Sequence, residues 1–470
     1  MLYNLVVDGV DTKVTITEES LRFESNGDVD ISYRFDDVIG CEEEITGWFW
    51  RTEVTRVWLI EDGSSNALLK QSRVVSGDQR KRFQHDLTEK IVKETKRPKR
   101  MLVMINPNGG NRTATKDFRD IVEPVFRLSG MSMDIIFSKH PGHLIDITKN
   151  YDFTNTDAIV LLGGDGTYNE VLNVLMRKRQ EEQGVDINDP NAALSPLNIP
   201  FGLIPTGSAS HWSRNCTGSR DVLTTALHVI QGRTVTSPLM AVHNNGKCVG
   251  FGCAGVGYGF LPNVVYRCDR NFRWLGRSRY TIVASWVLLF ETLAQYHYNA
   301  KLTFHTSVTE RRNTETNETE IFVADRKLTG YTSYTSDTVV YNRKFWDMLL
   351  LNGHSIYNGK VLVDASRMFV PKPTMFSCFL LFDTIQPASV RQYLKHFFGA
   401  TYMDDLSSVM DVLHARELSV ELSENQEDAD QDVSMTKRIA QLDGETYELE
   451  SPTFQIRYKL DVVRVFSSYL

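Results

Sequence analysis

The sequence predicts an α/β unit flanked by two β-rich units, and three observations carry that reading. Between residues 100 and 235, apolar strand-like runs alternate with helical stretches, the pattern of a parallel sheet with crossover helices. Before residue 75, short alternating segments follow one another with Gly, Asn and Asp between them, the pattern of a small β-sandwich or barrel. After Ser237 the chain is β-rich again, with one substantial helix. A chain of 470 residues is too long for one core, and the expected units are 1–90, 97–235 and 236–470.

Bulk properties narrow the function classes. Hydrophobic residues at 41% and charged residues at 24% suit a globular protein, and a net charge of −7 gives no reason to expect nucleic acid. Six cysteines lie scattered without a C-x-x-C pair, which fits a reducing compartment and argues against a zinc or disulfide framework. The N-terminal residues lack a basic segment and a long apolar run, so no signal peptide is expected. The longest apolar-rich run, 282–293, falls short of the roughly 18–20 residues that a membrane span requires. The expectation is a cytoplasmic protein whose lipid contact, if any, is peripheral.

In chain order, strands are expected at 3–7, 13–16, 20–24, 31–35, 54–60 and 68–74, then a helix at 88–96. That helix sits in a basic run, 80–100, which reads either as a solvated helix face and linker or as a contact for anionic lipid headgroups. The α/β pattern follows: strand 101–105, helix 116–128, strand 133–137, a helical stretch from His143, strand 158–162, a helix from Asn169 and strand 200–204. Later strands are expected at 239–243, 249–254, 300–305, 320–324, 348–352, 360–363, 377–382, 417–422 and 453–466, with the helix at 280–296. Residues 306–319 and the acidic 423–432 read as surface loops.

Chemistry concentrates in four stretches. Asn106-Pro-Asn-Gly-Gly110, Gly163-Gly-Asp-Gly-Thr167 and Pro205-Thr-Gly-Ser208 each end a strand, where parallel sheets bind ligands. Glycines let the backbone approach a ligand closely, and a helix N-terminus beyond the second loop suits a phosphate. Asp165 is the anomaly, because an acid in a phosphate cradle repels the ligand unless it holds a metal or takes a proton from a nucleophile. Leu442-Asp-Gly-Glu445 is the fourth stretch. Each alone is weak, since a Gly-rich turn after a strand is structural more often than not. No G-x-x-x-x-G-K-[ST] sequence is present, so an ordinary P-loop is excluded.

Together, in this order, the four stretches resemble the motifs of the diacylglycerol and sphingosine kinase superfamily of lipid kinases. The likeness is greatest to its ceramide-kinase branch. Arg97-Pro-Lys-Arg100, Thr225-Ala-Leu-His-Val-Ile-Gln-Gly232, Val242-His-Asn-Asn245, Arg273-Trp-Leu-Gly-Arg-Ser-Arg-Tyr280 and Ser451-Pro-Thr-Phe-Gln-Ile-Arg457 carry the finer match. The resemblance implies an N-terminal PH-like β domain, a Rossmann-like ATP-binding unit and a mainly antiparallel β-sandwich that binds lipid. It implies a kinase that moves the γ-phosphate of ATP to the primary hydroxyl of ceramide, with Asp165 as general base. Asn106, Asn108, Gly109, Gly110, Gly163, Gly164, Gly166, Thr167, Thr206, Gly207, Ser208, Arg273, Arg279 and Glu445 would hold the nucleotide. Glu445 and Asp443 would serve Mg²⁺. It further implies a membrane surface as partner, Ca²⁺ as a stimulator and a calmodulin segment at 392–398, for which a core helix with a basic face is the plainer reading.

Departures from the pattern keep alternatives open. The first loop continues Gly110-Asn-Arg112 where the superfamily usually has a further glycine, and Ala209-Ser-His-Trp212 differs from the sphingosine-kinase pattern. Asn263 stands where an acid faces the lipid headgroup, with Asp269 the nearest substitute, which favours neutral ceramide over cationic sphingosine. A sphingosine or diacylglycerol kinase, and a lipid-binding relative with little catalysis, remain the competing readings.

Overall fold

The computed structural model describes all residues except 26–30, 48–50, 64–66, 111, 208–209, 276–277, 291–297, 314–318, 324–325, 353–355, 358–359, 362–374, 383–410, 424–437 and 468–470. The expected acidic loop and the 392–398 segment therefore lie outside the described residues.

Residues 2–76 form a seven-stranded antiparallel sheet in the spatial order fourth, third, second, first, seventh, sixth, fifth. Alternation drives it. In Leu2–Val7 the side chains of Tyr3, Leu5 and Val7 are buried while those between face outward. The helix Arg80–Glu94 then places Phe83, Leu87 and Ile91, spaced four apart, on the core beside Tyr3 and Leu5. This helix starts eight residues before the expected one. One strand, Val38–Thr46, was not expected.

The basic run is partly structural. Arg80 is buried and pairs with Glu43 and Glu53. Arg97 donates to the carbonyls of Phe35, Val38 and Ile39, and burial pushes its guanidinium down to about 10. These carbonyls end the short turn Phe35–Asp37, so Arg97 ties the first unit to the strand that follows it. Ile39, Ile60 and Leu68 complete the attachment by packing with Phe126, Ala226 and Ile230 of the α/β unit.

Four parallel strands build that unit in the order Ser132–Phe137, Arg100–Ile105, Ala158–Gly163, Phe201–Pro205. The three inner strands are almost wholly apolar and buried because helices cover both faces, whereas the edge strand Ser132–Phe137 carries Ser132 and Asp134 and is only partly buried. Register aligns Ile105 with Leu162, and Gly163 with Pro205, so the loops that follow emerge side by side.

The sheet does not stop there. Thr453–Phe466 lies beside Phe201–Pro205 through Phe201 and Val465, and runs antiparallel to Thr234–Asn244 along its length. Its other end pairs with Glu417–Leu422, and the ladder continues through Tyr298–His305, Thr338–Leu351, Gly255–Gly259, Ile439–Leu442 and Glu445–Glu448. Sheet and core cross the expected boundary at residue 235, since Val462, Val463 and Val465 pack in the core of the α/β unit with Phe201 and Leu203. The β-rich unit has its own core around Tyr258, Tyr298, Phe345 and Phe454. Residues 309–312, expected in a loop, pair instead with Thr319–Val323. No helix among the described residues is long and apolar enough to cross a membrane.

Candidate functional site

Three loops meet at the carboxyl ends of the parallel strands, and glycine is what lets them meet. A Cβ on Gly110 would lie 2.6 Å from the Gly207 Cα, and one on Gly207 would lie 2.3 Å from the Gly164 Cα. The backbones are thus in contact, with no room for any side chain at the junction. Gly163 O accepts from the amides of both Thr206 and Gly207, at 3.0 and 2.9 Å. Asn106 Nδ2 donates to Thr167 Oγ1 at 3.0 Å, and the Asn108 amide donates to Asn106 Oδ1. Asn106 closes its own turn by accepting from the Gly109 amide.

The fourth stretch arrives from the far unit. Glu445 Oε1 lies only 2.7 Å from where a Cβ on Gly166 would stand. Residues 166 and 445 come together because Ile439–Leu442 and Glu445–Glu448 form a hairpin whose two turn residues, Asp443 and Gly444, have φ of 53° and 97°. Two positive φ values in a two-residue turn suit Asp-Gly.

Asp165 begins the helix Asp165–Glu182, where the helix dipole favours a carboxylate. Its Oδ2 accepts from the His211 amide and its Oδ1 from the Trp212 amide, both at 2.9 Å. The side chain therefore also caps the helix His211–Thr217 and is 9% exposed. Tyr168, one turn inside, reaches the carbonyls of Gly163 and Ile204 with its hydroxyl.

A four-stranded parallel sheet with Gly-rich loops after three of its strands, a carboxylate at a helix start and a second acid brought in from another unit is the geometry on which the comparisons bear. Residues 100–242 match the family described as the diacylglycerol kinase catalytic domain. The α/β fold is of the diacylglycerol kinase catalytic type. A solved candidate diacylglycerol kinase from Bacillus anthracis shares the fold, with a TM-score of 0.50 and 14% identity over 79% of this chain and 95% of that one. The ceramide kinase of Homo sapiens is 34% identical over 194 residues, 41% of this chain and 36% of that protein. Ceramide kinase 1 of Caenorhabditis elegans is 30% identical over 49% of this chain and 42% of that protein. The sphingoid long-chain bases kinase 1 of Arabidopsis thaliana is 29% identical over 46% and 27%. Each of these three curated relatives is matched over less than half of its own length. The superfamily resemblance read from the motifs is borne out over the α/β unit.

Within this kinase-type fold the expected residues divide into three groups. Asn106, Asn108, Gly109, Gly110, Gly163, Gly164, Asp165, Gly166, Thr167, Thr206, Gly207, Asp443 and Glu445 gather at or beside the loop junction. Asn263 and Arg279 stand on separate helices of the β-rich unit, Phe260–Asn271 and Ser278–Phe290. Ser208 and the side chains of Asp269 and Arg273 lie outside the described residues. Asn263 is buried, with Nδ2 donating to Gly259 O and the Tyr298 hydroxyl, while Oδ1 has no partner.

Asp443 needs the largest correction. It was expected beside a metal, yet its carboxylate is buried and accepts from the amides of Cys253, Ala254 and Gly255, the Cys253 thiol and Asn169 Nδ2. Burial pushes this carboxyl above its ordinary range, and the donors from Cys253, Gly255 and Asn169 pull it back. Five donors thus share the lone pairs of this carboxylate. A divalent cation fits the site only as Mg²⁺ usually fits, through one or two carboxylates plus substrate phosphates. Glu445, against Gly166, is the carboxylate that would hold it. No group of three ligating side chains forms there among the described residues, the one such group being His85, Asp86 and Glu89 on another helix.

Asn169 and Asn173 were missed. Spaced four apart on one helix face, they bind the Phe251 carbonyl and amide and join the α/β unit to the strand Lys247–Gly252. The only sequence signal was two amides inside an otherwise apolar helical pattern.

Proposed function

We propose that the protein is an ATP-dependent lipid kinase that phosphorylates the primary hydroxyl of ceramide. The observation that carries this is the junction itself, where Gly110, Gly164 and Gly207 touch backbone to backbone and Glu445 reaches Gly166, next to Asp165. Such a cradle can offer amides to phosphate oxygens, and phosphoryl transfer needs chiefly positioning and charge neutralisation. Asp165 accepts the proton of the lipid hydroxyl as the new O–P bond forms and the bond from the γ-phosphorus to the β–γ bridging oxygen breaks, releasing ADP. The two amides at His211 and Trp212 fix the orientation of that carboxylate. Glu445 is placed to hold Mg²⁺, which when bound neutralises phosphate charge.

Ceramide is favoured over sphingosine because Asn263 is neutral and already satisfies the Gly259 carbonyl, so a cationic amine would find no counter-charge in that side chain. Relatives named for both substrates support only the broader class of lipid kinase. The seven-stranded sheet capped by a helix supports a PH-like reading of residues 1–94, and the antiparallel β-rich unit supports a lipid-binding role. Trp274, Ile282 and Trp286 are 78%, 50% and 53% exposed on consecutive helical segments, which supports contact with a membrane surface.

The test is Asp165→Asn in the full chain, assayed with Mg²⁺, labelled ATP and a panel of ceramide, sphingosine and diacylglycerol in micelles. The expected result is product on ceramide for wild type, and for the variant a loss of turnover with ATP binding nearly intact. Asn keeps one acceptor oxygen, so the lost cap costs about 1 kcal/mol. Retained turnover removes the base assignment, product on sphingosine alone replaces the substrate, and no product on any lipid favours a binding protein.

A further inference from the structure

We infer that Asp443 is the positioning residue for Glu445 and not a ligand of the metal, an inference that rests on the kinase reading above. The carboxylate fills an anion nest. Oδ1 accepts from the Ala254 and Gly255 amides, each at 2.8 Å, and Oδ2 from the Cys253 amide at 2.6 Å, the Cys253 thiol at 2.9 Å and Asn169 Nδ2 at 2.8 Å. A carboxylate has about four lone-pair sites, and five donors exhaust them. Successive backbone amides curled around one point attract an anion, and the chain supplies that anion itself.

The consequence is mechanical. Asp443 also donates its own amide to the Gly255 carbonyl at 2.9 Å, so both its backbone and its side chain are fixed to the turn 253–255. With Gly444 it makes the tight turn that delivers Glu445 to Gly166. Through Asn169 it holds the helix that begins at Asp165, four residues earlier and therefore on the same helix face. One buried carboxylate thus ties the hairpin that carries Glu445 to the helix that begins at Asp165. Cys253 is part of the same clamp, its thiol a donor held beneath the site, and burial with the neighbouring Asp443 charge keeps it protonated.

The variants are Asp443→Asn, Asn169→Ala and Cys253→Ala in the full chain, read by kcat, KM for ATP, the half-saturating Mg²⁺ concentration and calorimetric binding of MgATP. Asn169→Ala and Cys253→Ala loosen the clamp without touching any carboxylate. The expected result for Asp443→Asn is a fall in kcat of about 10²-fold, the scale of a roughly 1 Å misplacement. KM for ATP should move by less than about threefold, and any rise in the Mg²⁺ requirement should recur, smaller, in Asn169→Ala and Cys253→Ala, because all three shift Glu445. The other two variants should lower kcat in the same sense by smaller factors. An Mg²⁺ requirement raised about tenfold or more in Asp443→Asn alone, with its rate restored at high Mg²⁺ and the other two variants unchanged, would overturn the inference. Wild-type kcat in both Asn169→Ala and Cys253→Ala would overturn it too, and decides the matter if Asp443→Asn does not fold. If wild type turns over no lipid, the kinase reading fails separately. Calorimetry then decides: an Mg²⁺ requirement for MgATP binding that shifts in the same sense in all three variants, or in none, supports a positioning role, and one raised in Asp443→Asn alone overturns it.

Discussion

Gly207→Ala isolates the contact on which the site depends. The added carbon would meet the Gly164 Cα at 2.3 Å, the Gly164 amide nitrogen at 2.9 Å and Ser210 Oγ at 3.1 Å. Carbon atoms settle at about 3.5–4.0 Å, so the second and third loops must part by more than about 1 Å. Neither loop can give way cheaply. Gly207 is bonded through its amide to Gly163 O, Asp165 holds the far end of the third loop through His211 and Trp212, and Gly110 presses on Gly207 from the other side. Overpacking of this kind costs about 1–3 kcal/mol in stability, and a displacement near 1 Å costs about 10²-fold in rate. The assay is kcat/KM for ATP alongside a urea unfolding midpoint, with Gly130→Ala as the control. Nothing lies within 4 Å of a carbon added at Gly130, but its φ is 76°, so that change carries about 1–2 kcal/mol of backbone strain and no displacement of the site. Wild-type turnover in Gly207→Ala, or an equal loss in both variants, refutes the reasoning.

Two further outcomes follow from the same coordinates. Burial holds His228 and His243 below the ordinary imidazole range, so below about pH 6.5 the unfolded chain gains protons that the folded one refuses. Stability is therefore full above about that pH and falls as pH drops beneath it, and His228→Phe should flatten the slope between guanidinium midpoints measured at about pH 7.5 and 5.5; a wild-type midpoint that does not fall with acid contradicts this. Replacing Trp274 and Trp286 together by Ser should weaken sedimentation with phosphatidylserine vesicles by at least about tenfold, given roughly 1.5–3 kcal/mol for each large apolar side chain buried. Unchanged sedimentation removes this face from the membrane contact.

What the sequence showed and what it hid divide along the range of the interactions. The strand-loop-helix units at 100–205 were legible because apolar runs and glycine turns are local signals, whereas the strands on either side of Asp443-Gly444 were not expected, although that turn is equally local. Strand Val38–Thr46 escaped notice because Glu42, Glu43 and Glu44 interrupt its alternation, and only pairing with Thr52–Asp62 holds it in place. Arg80 and Arg97 read as two more charges in a basic run, since the carboxylates and carbonyls that bury them lie on strands and turns 27–62 residues earlier. Asp443 read as a ligand for the same reason. Its partners Cys253 and Asn169 are 190 and 274 residues away, and no pattern near 443 announces them.

The strand Thr453–Phe466 bears on how the chain reaches this state. Phe201 cannot find Val465 until the 264 residues separating them have been made, and a ribosome delivers the α/β strands long before their neighbour. Pairings so distant slow folding and leave an apolar sheet edge uncovered in the interim. Nascent chains halted before residue 453 should therefore present the side of Phe201–Pro205 as an open edge for other strands. That makes this protein a candidate client for chaperones that shield such edges during synthesis. The same late strand would give the cell a checkpoint, since an incomplete chain would expose the open edge by which it is recognised.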